Sequence, residues 1–374
     1  MSEWQTYKLR EVGTLQRGRS RHRPRYAFHL FNGPYPFIQT GEVREARKYI
    51  STFENTYSEA GLAQSKLWPK STLCITIAAN IAELGILGFD ACFPDSVLGF
   101  IPDTSKSDLD FVYYTLTHFQ KQLKHIGEGS VQDNINLGTF EDIEFPFPRL
   151  SEQKAIASVL SSLDDKIDLL HRQNKTLEEM AETLFRQWFI EEVKEDWKLG
   201  TLEHLIDLKY GKALKQEDRS GSGYPVVASS GVVGFHNEYL VEGPGIVIGR
   251  KGTLGKVYFM EDSFYPIDTS YFIKTKIPES NLLFEYYLLK SSDFANMNSD
   301  SAVPGLNRNL ALGTPVQIPP LERIAEFNKL AKPWFSKIYT NTKQIQTLEK
   351  IRDTLLPKLM SGEVRVEYKK VDAA

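Results

Sequence analysis

The chain has 374 residues, 41% of them hydrophobic and 25% charged, a balance that fits a soluble globular protein and excludes disordered or fibrous classes. Its length exceeds one ordinary core and predicts two or three domains. A formal net charge of -3 excludes a protein that coats nucleic acid by overall charge. Residues 1–30 nevertheless carry Lys8, Arg10, Arg17, Arg19, Arg21, Arg23 and Arg25 against Glu3 and Glu11, or +5 locally.

In chain order, the first distinctive stretch is QRGRSRHRPRY at 16–26, with an arginine at every second position from Arg17 to Arg25. In extended chain this spacing points all five guanidinium groups to one side. Two readings stand: a solvated edge strand protected by charge and Pro24, or a comb for phosphates, which suit arginine's planar fork. The apolar run STLCITIAANIAELGILGFDACF (71–93) has membrane-like length but contains Asn80, Glu83, Asp90 and two glycines, and predicts a buried hairpin. Cys74 and Cys92 lack CxxC spacing and are expected as buried reduced thiols, which with the absence of an apolar leader points to a cytoplasmic protein. Seven histidines show no HExxH-type pair, so no metal site is expected. Helical patterns follow at 110–126 and 281–295.

The halves repeat each other. WQTYKLREVGTL is matched by WKLGTLEHLIDL, YPFIQTG by YPVVASSG, CFPDS by FYPIDTS, and GSVQDNINLGTFEDIEFPFPRL by SAVPGLNRNLALGTPVQIPPL, in the same order. Each half ends in a long helical pattern, and an offset of 171 superposes the two without a gap. Ile156, Leu163, Leu170, Leu177 and Leu184 form one heptad row, and Leu160, Ile167, Asn174, Ala181 and Trp188 the other. Phe327, Trp334, Asn341, Leu348 and Leu355 repeat it beside Ala331, Ile338, Ile345, Arg352 and Leu359. Two such rows make a coiled-coil seam, and about forty residues at 1.5 Å each make a rod of roughly 60 Å. In antiparallel packing, Asn174 and Asn341 meet and fix register; otherwise each sits at the seam's solvent margin.

The resulting expectation is an α+β protein with two pseudo-repeated α/β heads separated by two long helices in an antiparallel coiled coil. The boundaries are 1–150 for the first head, 151–196 for the first spacer, 197–320 for the second head, 321–362 for the second spacer and 363–374 for a tail.

This plan, and above all PFPRLSEQKAIASVLSSLDDKIDLLHRQNKTLEEMAETLFRQWF (146–189) with LEKIRDTLLPKLMSGEVRV (348–366), resembles the specificity subunit of type I restriction-modification systems over nearly the whole chain. GRKGTLGKVYF (249–259) and YPIDTSYF (265–272) resemble a frequent form of that family's recognition domain. The second helical start, PPLERIAEF, departs from the usual acidic-Gln form. The resemblance implies two target recognition domains, each reading half of a bipartite DNA site, and helices that dock two modification (methyltransferase) subunits. Restriction subunits with ATP-dependent endonuclease activity would complete the complex. Cofactors would be absent from this chain, with S-adenosylmethionine, ATP and Mg used by the partners. The residues agree with a non-catalytic role: no Asn-Pro-Pro-Tyr motif, GxxxxGK[ST] loop or GxSxG elbow is present.

Within the heads, arginine suits guanine, Asn and Gln suit adenine, and lysine holds phosphate. Candidate DNA contacts in the first head are Arg17, Arg19, Arg21, Arg23, Arg25, Gln39, Thr40, Gln132, Asn134 and Asn136. In the second they are Tyr210, Lys212, Lys215, Ser229, Ser230, Arg250, Lys251, Thr253, Asn307 and Arg308. With two heads and a spacer in view, the comb is expected along DNA backbone. Residues 151–196 hold eleven acidic and six basic side chains, a net of -5, so the first spacer should avoid tight DNA contact. Phe185, Trp188 and Phe189 at its end are either exposed for docking partner subunits or cap the rod against a head. A competing class is a coiled-coil adaptor whose heads bind other ligands.

Overall fold

The computed structural model describes residues 4–78, 81–128, 137–297 and 305–366. Short apolar runs bounded by turn residues form the strands of the first half: β1 (Gln5–Lys8), β2 (Gly13–Arg17), β3 (Phe31–Phe37), β4 (Tyr49–Ile50), β5 (Asn55–Tyr57), β6 (Leu67–Trp68), β7 (Leu73–Thr76), β8 (Leu84–Leu87), β9 (Ala91–Cys92), β10 (Val97–Pro102) and β11 (Glu144–Phe147). Its helices are α1 (Leu9–Val12), α2 (Thr40–Glu45), α3 (Glu59–Ala63), α4 (Leu109–Glu128) and α5 (Leu137–Asp142), and the long α6 (Leu150–Arg186) follows, closing in a π turn at Gln187–Glu191. The second half has β12 (Lys198–Thr201), β13 (Ile206–Tyr210), β14 (Tyr224–Ala228), β15 (Gly231–His236), β16 (Gly245–Gly249), β17 (Val257–Met260), β18 (Tyr265–Pro266), β19 (Ser270–Thr275) and β20 (Pro315–Ile318). Its helices are α7 (Leu283–Lys290), α8 (Arg308–Leu312) and the 40-residue α9 (Leu321–Met360). The chain divides inside the long helices, into Met1–Leu169 with Gln344–Ala374 and into Leu170–Lys343.

The repeat is visible sheet by sheet, with one strand fewer in two of the second unit's sheets. In the first unit β2-β10-β7-β8-β4 form one sheet, β5-β3-β9-β6 a second and β1-β11 a third; in the second unit these become β13-β19-β16-β17, β15-β14-β18 and β12-β20. Both second sheets contain a parallel pair, β3 with β9 and β14 with β18.

The expected hairpin in 71–93 forms, with β7 and β8 antiparallel and buried on both faces. Leu73, Ile75 and Ile86 enter the core shared with Phe111 of α4, while Cys74 and Leu87 enter a separate cluster with Trp68 and Phe93. Two covered faces explain a nearly unbroken apolar run without a membrane. Among the described residues no helix is long and apolar enough to cross one. Cys74 and Cys92 are both buried and unpaired, and burial pushes the Cys92 thiol up to about 11.

Within each unit the long helices run antiparallel. In the first, Ile156 and Leu160 near the start of α6 share a core with Leu359 and Met360 at the end of α9, and Arg352 donates to Asp164 at 2.8 Å. In the second, Asn341 is 0% exposed and its Nδ2 donates to Asn174 Oδ1 and to Gln173 Oε1, both at 2.8 Å. The seam asparagines therefore meet. Heads and helices are tied by polar pins: Lys48, itself buried, reaches Asp110 at 3.0 Å and Ser161 of α6 at 2.8 Å. In the second unit Asp262 accepts from Tyr339 at 2.6 Å and pairs with Lys343 at 2.7 Å.

Phe185 and Phe189 are only 2% and 8% exposed, which corrects the expectation that they stand exposed for docking. They pack with Phe284, Tyr287 and Phe327 in the second unit's core, and Trp188 is covered by the Arg323 guanidinium 3.5 Å from its ring centroid. Burying the two phenyl rings is worth several kcal/mol, on the order of 1.5–3 each, which free display would forfeit.

One buried acid of that core yields a pH test. Glu285 of α7 is 0% exposed, accepts from Thr275 at 2.5 Å and Ser280 at 2.8 Å, and burial raises its carboxyl above the ordinary 4.5 despite those bonds. The folded chain then holds this proton more tightly than the unfolded chain, so stability declines as pH rises through the folded titration. Glu285→Gln is expected to flatten that decline and to raise the midpoint of thermal unfolding at pH 7. Melting curves at half-unit steps from pH 4 to 8 check it; an unchanged slope counts against the account.

Candidate nucleic-acid interface

In the first unit, three strand ends converge on the turn Pro94–Ser96. Gly18 N donates to Val97 O at 2.8 Å, Arg19 N to Phe93 O at 3.0 Å, Ile38 N to Cys92 O at 2.8 Å and Ile77 N to Ser96 O at 3.0 Å. Glycine at 18 permits this approach, since a Cβ there would lie 2.3 Å from Pro94 O. Asp95 organises the charges: its carbonyl accepts from Arg17 Nε at 2.5 Å, and its carboxylate pairs with Arg25 at 2.9 Å.

The arginine comb is not one extended strand, which corrects the one-sided geometry expected of it. β2 ends at Arg17, and the chain then turns, with Ala27 N donating to Pro24 O at 3.2 Å. Pairing of β2 gives way because the backbone is captured elsewhere: Arg21 N and His22 N both donate to Gln64 Oε1, at 2.6 and 3.0 Å. All five arginines remain exposed, although Arg23 bonds the carbonyls of Ser20 and His22. Gln39 and Thr40 lie not in a small-residue turn but at the start of α2, where Glu42 accepts from the Gln39 amide at 3.0 Å. A cleft of about 280 Å³ opens between these parts, lined by Arg25, Tyr26, Gln39, Thr40, Tyr57 and Ser96. Gln132, Asn134 and Asn136 lie outside the described residues.

The second unit builds the same junction, its turn displaced by 173 positions and its glycine by 193. Gly211 N donates to Ser270 O at 3.1 Å, Lys212 N to Pro266 O at 3.0 Å, and Arg250 N and Lys251 N to Thr269 O at 2.9 and 3.0 Å. Thr269 Oγ1 also accepts from Ser229 N at 3.3 Å. Gly211 stands where Gly18 stands, its missing Cβ 2.1 Å from Ile267 O. The turn thus gathers Tyr210, Lys212, Ser229, Ser230, Arg250, Lys251 and Thr253, which the chain scatters over 44 positions (210 to 253).

Arg250 is restrained by its neighbours. Its guanidinium lies 4.9 Å from the Tyr210 ring centroid and 5.7 Å from that of Tyr271, and Nη1 donates to Asp268 O at 3.0 Å. Stacking plus one carbonyl restrains the fork while leaving donors for a ligand. Lys212, Ser230, Lys251 and Thr253 are exposed, and Lys215 is exposed beside Glu217 at 3.3 Å.

Three candidates serve the fold instead. Asn307 caps α8 by accepting from the amides of Asn309 and Leu310. Arg308 is pinned to β13, bonding Leu208 O at 2.7 Å and the Asp207 carboxylate. Ser229 is buried, its carbonyl accepting from Tyr258 at 3.2 Å. The candidates drawn from the sequence do not include Asp95 and Asp268, although the matched CFPDS and FYPIDTS segments put them at equivalent positions. Nor do they include Tyr26 and Phe28, which lie one and three positions beyond the comb's last arginine.

A family model described as "Type I restriction modification DNA specificity domain" matches residues 1–179 and 194–350. The chain is 25% identical to the type I restriction enzyme MjaIX specificity subunit of Methanocaldococcus jannaschii, covering 98% of this chain and 94% of that one. It is 28% identical to a putative type I specificity subunit, S.MgeORF438P, of Mycoplasma genitalium, covering 69% and 72%. Its fold matches the crystal structure of a type I restriction-modification S subunit from M. genitalium with a TM-score of 0.69 and 22% identity, over 95% of this chain and 96% of that one.

Proposed function

Because the chain belongs to the type I restriction modification DNA specificity family, we propose that it selects DNA sequence for a type I restriction-modification complex and catalyses nothing itself. Each unit reads one half of a bipartite site. The paired helices α6 and α9 set the gap between halves and dock two modification subunits, which methylate adenine with S-adenosylmethionine. Restriction subunits, driven by ATP and Mg, join the same cytoplasmic complex.

The observation that carries this reading is the duplicated junction. Both units gather cationic side chains around an Asp-containing turn, the exposed Arg17 and Arg25 at Asp95 in one and the partly exposed Arg250 at Asp268 in the other. A repeated reader is what a two-part site requires. The restrained fork of Arg250 matches the two major-groove acceptors of guanine, and exposed Lys212 and Lys251 suit flanking phosphates. In the first unit Gln39 suits adenine beside the arginine loop.

Long-read methylation mapping in cells with and without the gene tests the proposal: one bipartite adenine-methylation motif should vanish with the gene. The charge argument has its own check. Replacing Arg19, Arg21 and Arg23 together by Ala is expected to reduce the slope of log affinity against log salt by about 2 to 3, with little change in which sequence is preferred. An unaltered slope in equilibrium binding removes the phosphate role of this loop.

A further inference from the structure

Arg19 to Leu30 hold two apolar rings outside the fold: Phe28 is 84% exposed and Tyr26 73%. The loop that carries them is anchored at several points. Gln64 Oε1 takes the Arg21 and His22 amides, Ser58 Oγ donates to His29 O at 2.7 Å, and the His22 and His29 rings meet edge to face at 4.9 Å. Tyr26 lies parallel to Phe31, with centroids 6.3 Å apart and an 18° interplanar angle, and its hydroxyl lies 3.5 Å from Gln39 Oε1. An exposed phenyl ring on an anchored loop costs solvation unless a partner covers it.

The surrounding charge selects that partner. Arg19, Arg21, Arg23 and Arg25 are all exposed within nine residues of Phe28, which suits a polyanion whose interior is apolar. Stacked bases offer such an interior, and apolar side chains inserted between base steps unstack and kink a duplex while arginines hold the flanking phosphates. We propose that Phe28 is a wedge that enters between two base pairs beside the first half-site, with Tyr26 as the ring that stacks on the displaced edge. The first half-site is then read partly through the deformability of a step that no polar side chain touches. This rests on the DNA-reading function proposed above.

The test uses the full chain with its modification subunits and duplexes carrying the mapped site, with 2-aminopurine placed at successive steps around the first half-site. Binding should raise fluorescence several-fold at one step. Phe28→Ala should abolish that rise, reduce the bend seen by end-to-end energy transfer and weaken binding about tenfold, while Phe28→Leu, still apolar, should retain most of all three. An equal rise with Phe28→Ala, or site-selective binding without a rise at any step, overturns the wedge and leaves the DNA reading intact. Failure of the wild-type chain to bind duplex selectively overturns both.

Discussion

Inserting four residues into α6 and four into α9, both between the Asp164·Arg352 and Asn174·Asn341 levels, is expected to widen the gap of the recognised DNA site by nearly two base pairs. Four helical residues add about 6 Å, and the duplex rises about 3.4 Å per base pair. Both helices must be lengthened together, because lengthening one alone would carry Asn174 away from Asn341 and bury an unsatisfied amide. The half-site sequences themselves should persist, since neither junction around Asp95 or Asp268 is touched. Methylation mapping reads the gap directly. A gap that stays constant in a folded, active insertion variant defeats the role of the helices as a ruler while leaving the family assignment in place.

Arg352→Met alone should cost about 2–4 kcal/mol of stability, somewhat less than the cost of uncoupling a fully buried ion pair because the arginine keeps some exposure. Asp164, with a side chain only 11% exposed, would retain the Tyr114 hydroxyl at 2.6 Å but lose its counter-charge. The internal repeat supplies the rescue. At the offset of 171, Asp164 corresponds to Phe335 and Arg352 to Ala181, so the second unit fills the same place without charge. Beside the ion pair lies a cavity of about 230 Å³ lined by Tyr113, Tyr114, Asp164 and Arg352, roomy enough for a phenyl ring. Asp164→Phe combined with Arg352→Ala is therefore expected to recover most of the loss in chemical denaturation. A double variant no more stable than Arg352→Met would show that only the charged pair fits this seam.

Much of the architecture was legible from local rules. Helical seams follow a period set by the backbone itself, so the rows through Ile156 and Phe327 could be drawn from spacing, and a partner for Asn174 could be named 167 residues away. The buried hairpin at 71–93 was equally readable, because length, glycines and interrupting polar residues distinguish it from a span. Phe185 and Phe189 were harder: an aromatic at the end of an amphipathic helix looks the same whether a partner or the chain's own α7 covers it, and only packing against Phe284 and Tyr287 decides.

The sequence by itself determined the duplication and the two long helices, and offered the antiparallel register that the Asn174 to Asn341 bond shows, since these depend on residues a few positions apart and on one repeat laid over another. Only the tertiary structure decided how the candidate loops are arranged. It folded the arginine comb into a turn, diverted Asn307 and Arg308 to the framework, and brought Arg250 onto Tyr210 beside the Asp268 turn. The reason is physical: these loops are placed by backbone hydrogen bonds such as Gly18 to Val97 and Lys212 to Pro266, and each spans more than fifty residues. No local periodicity encodes which carbonyl a strand end will find.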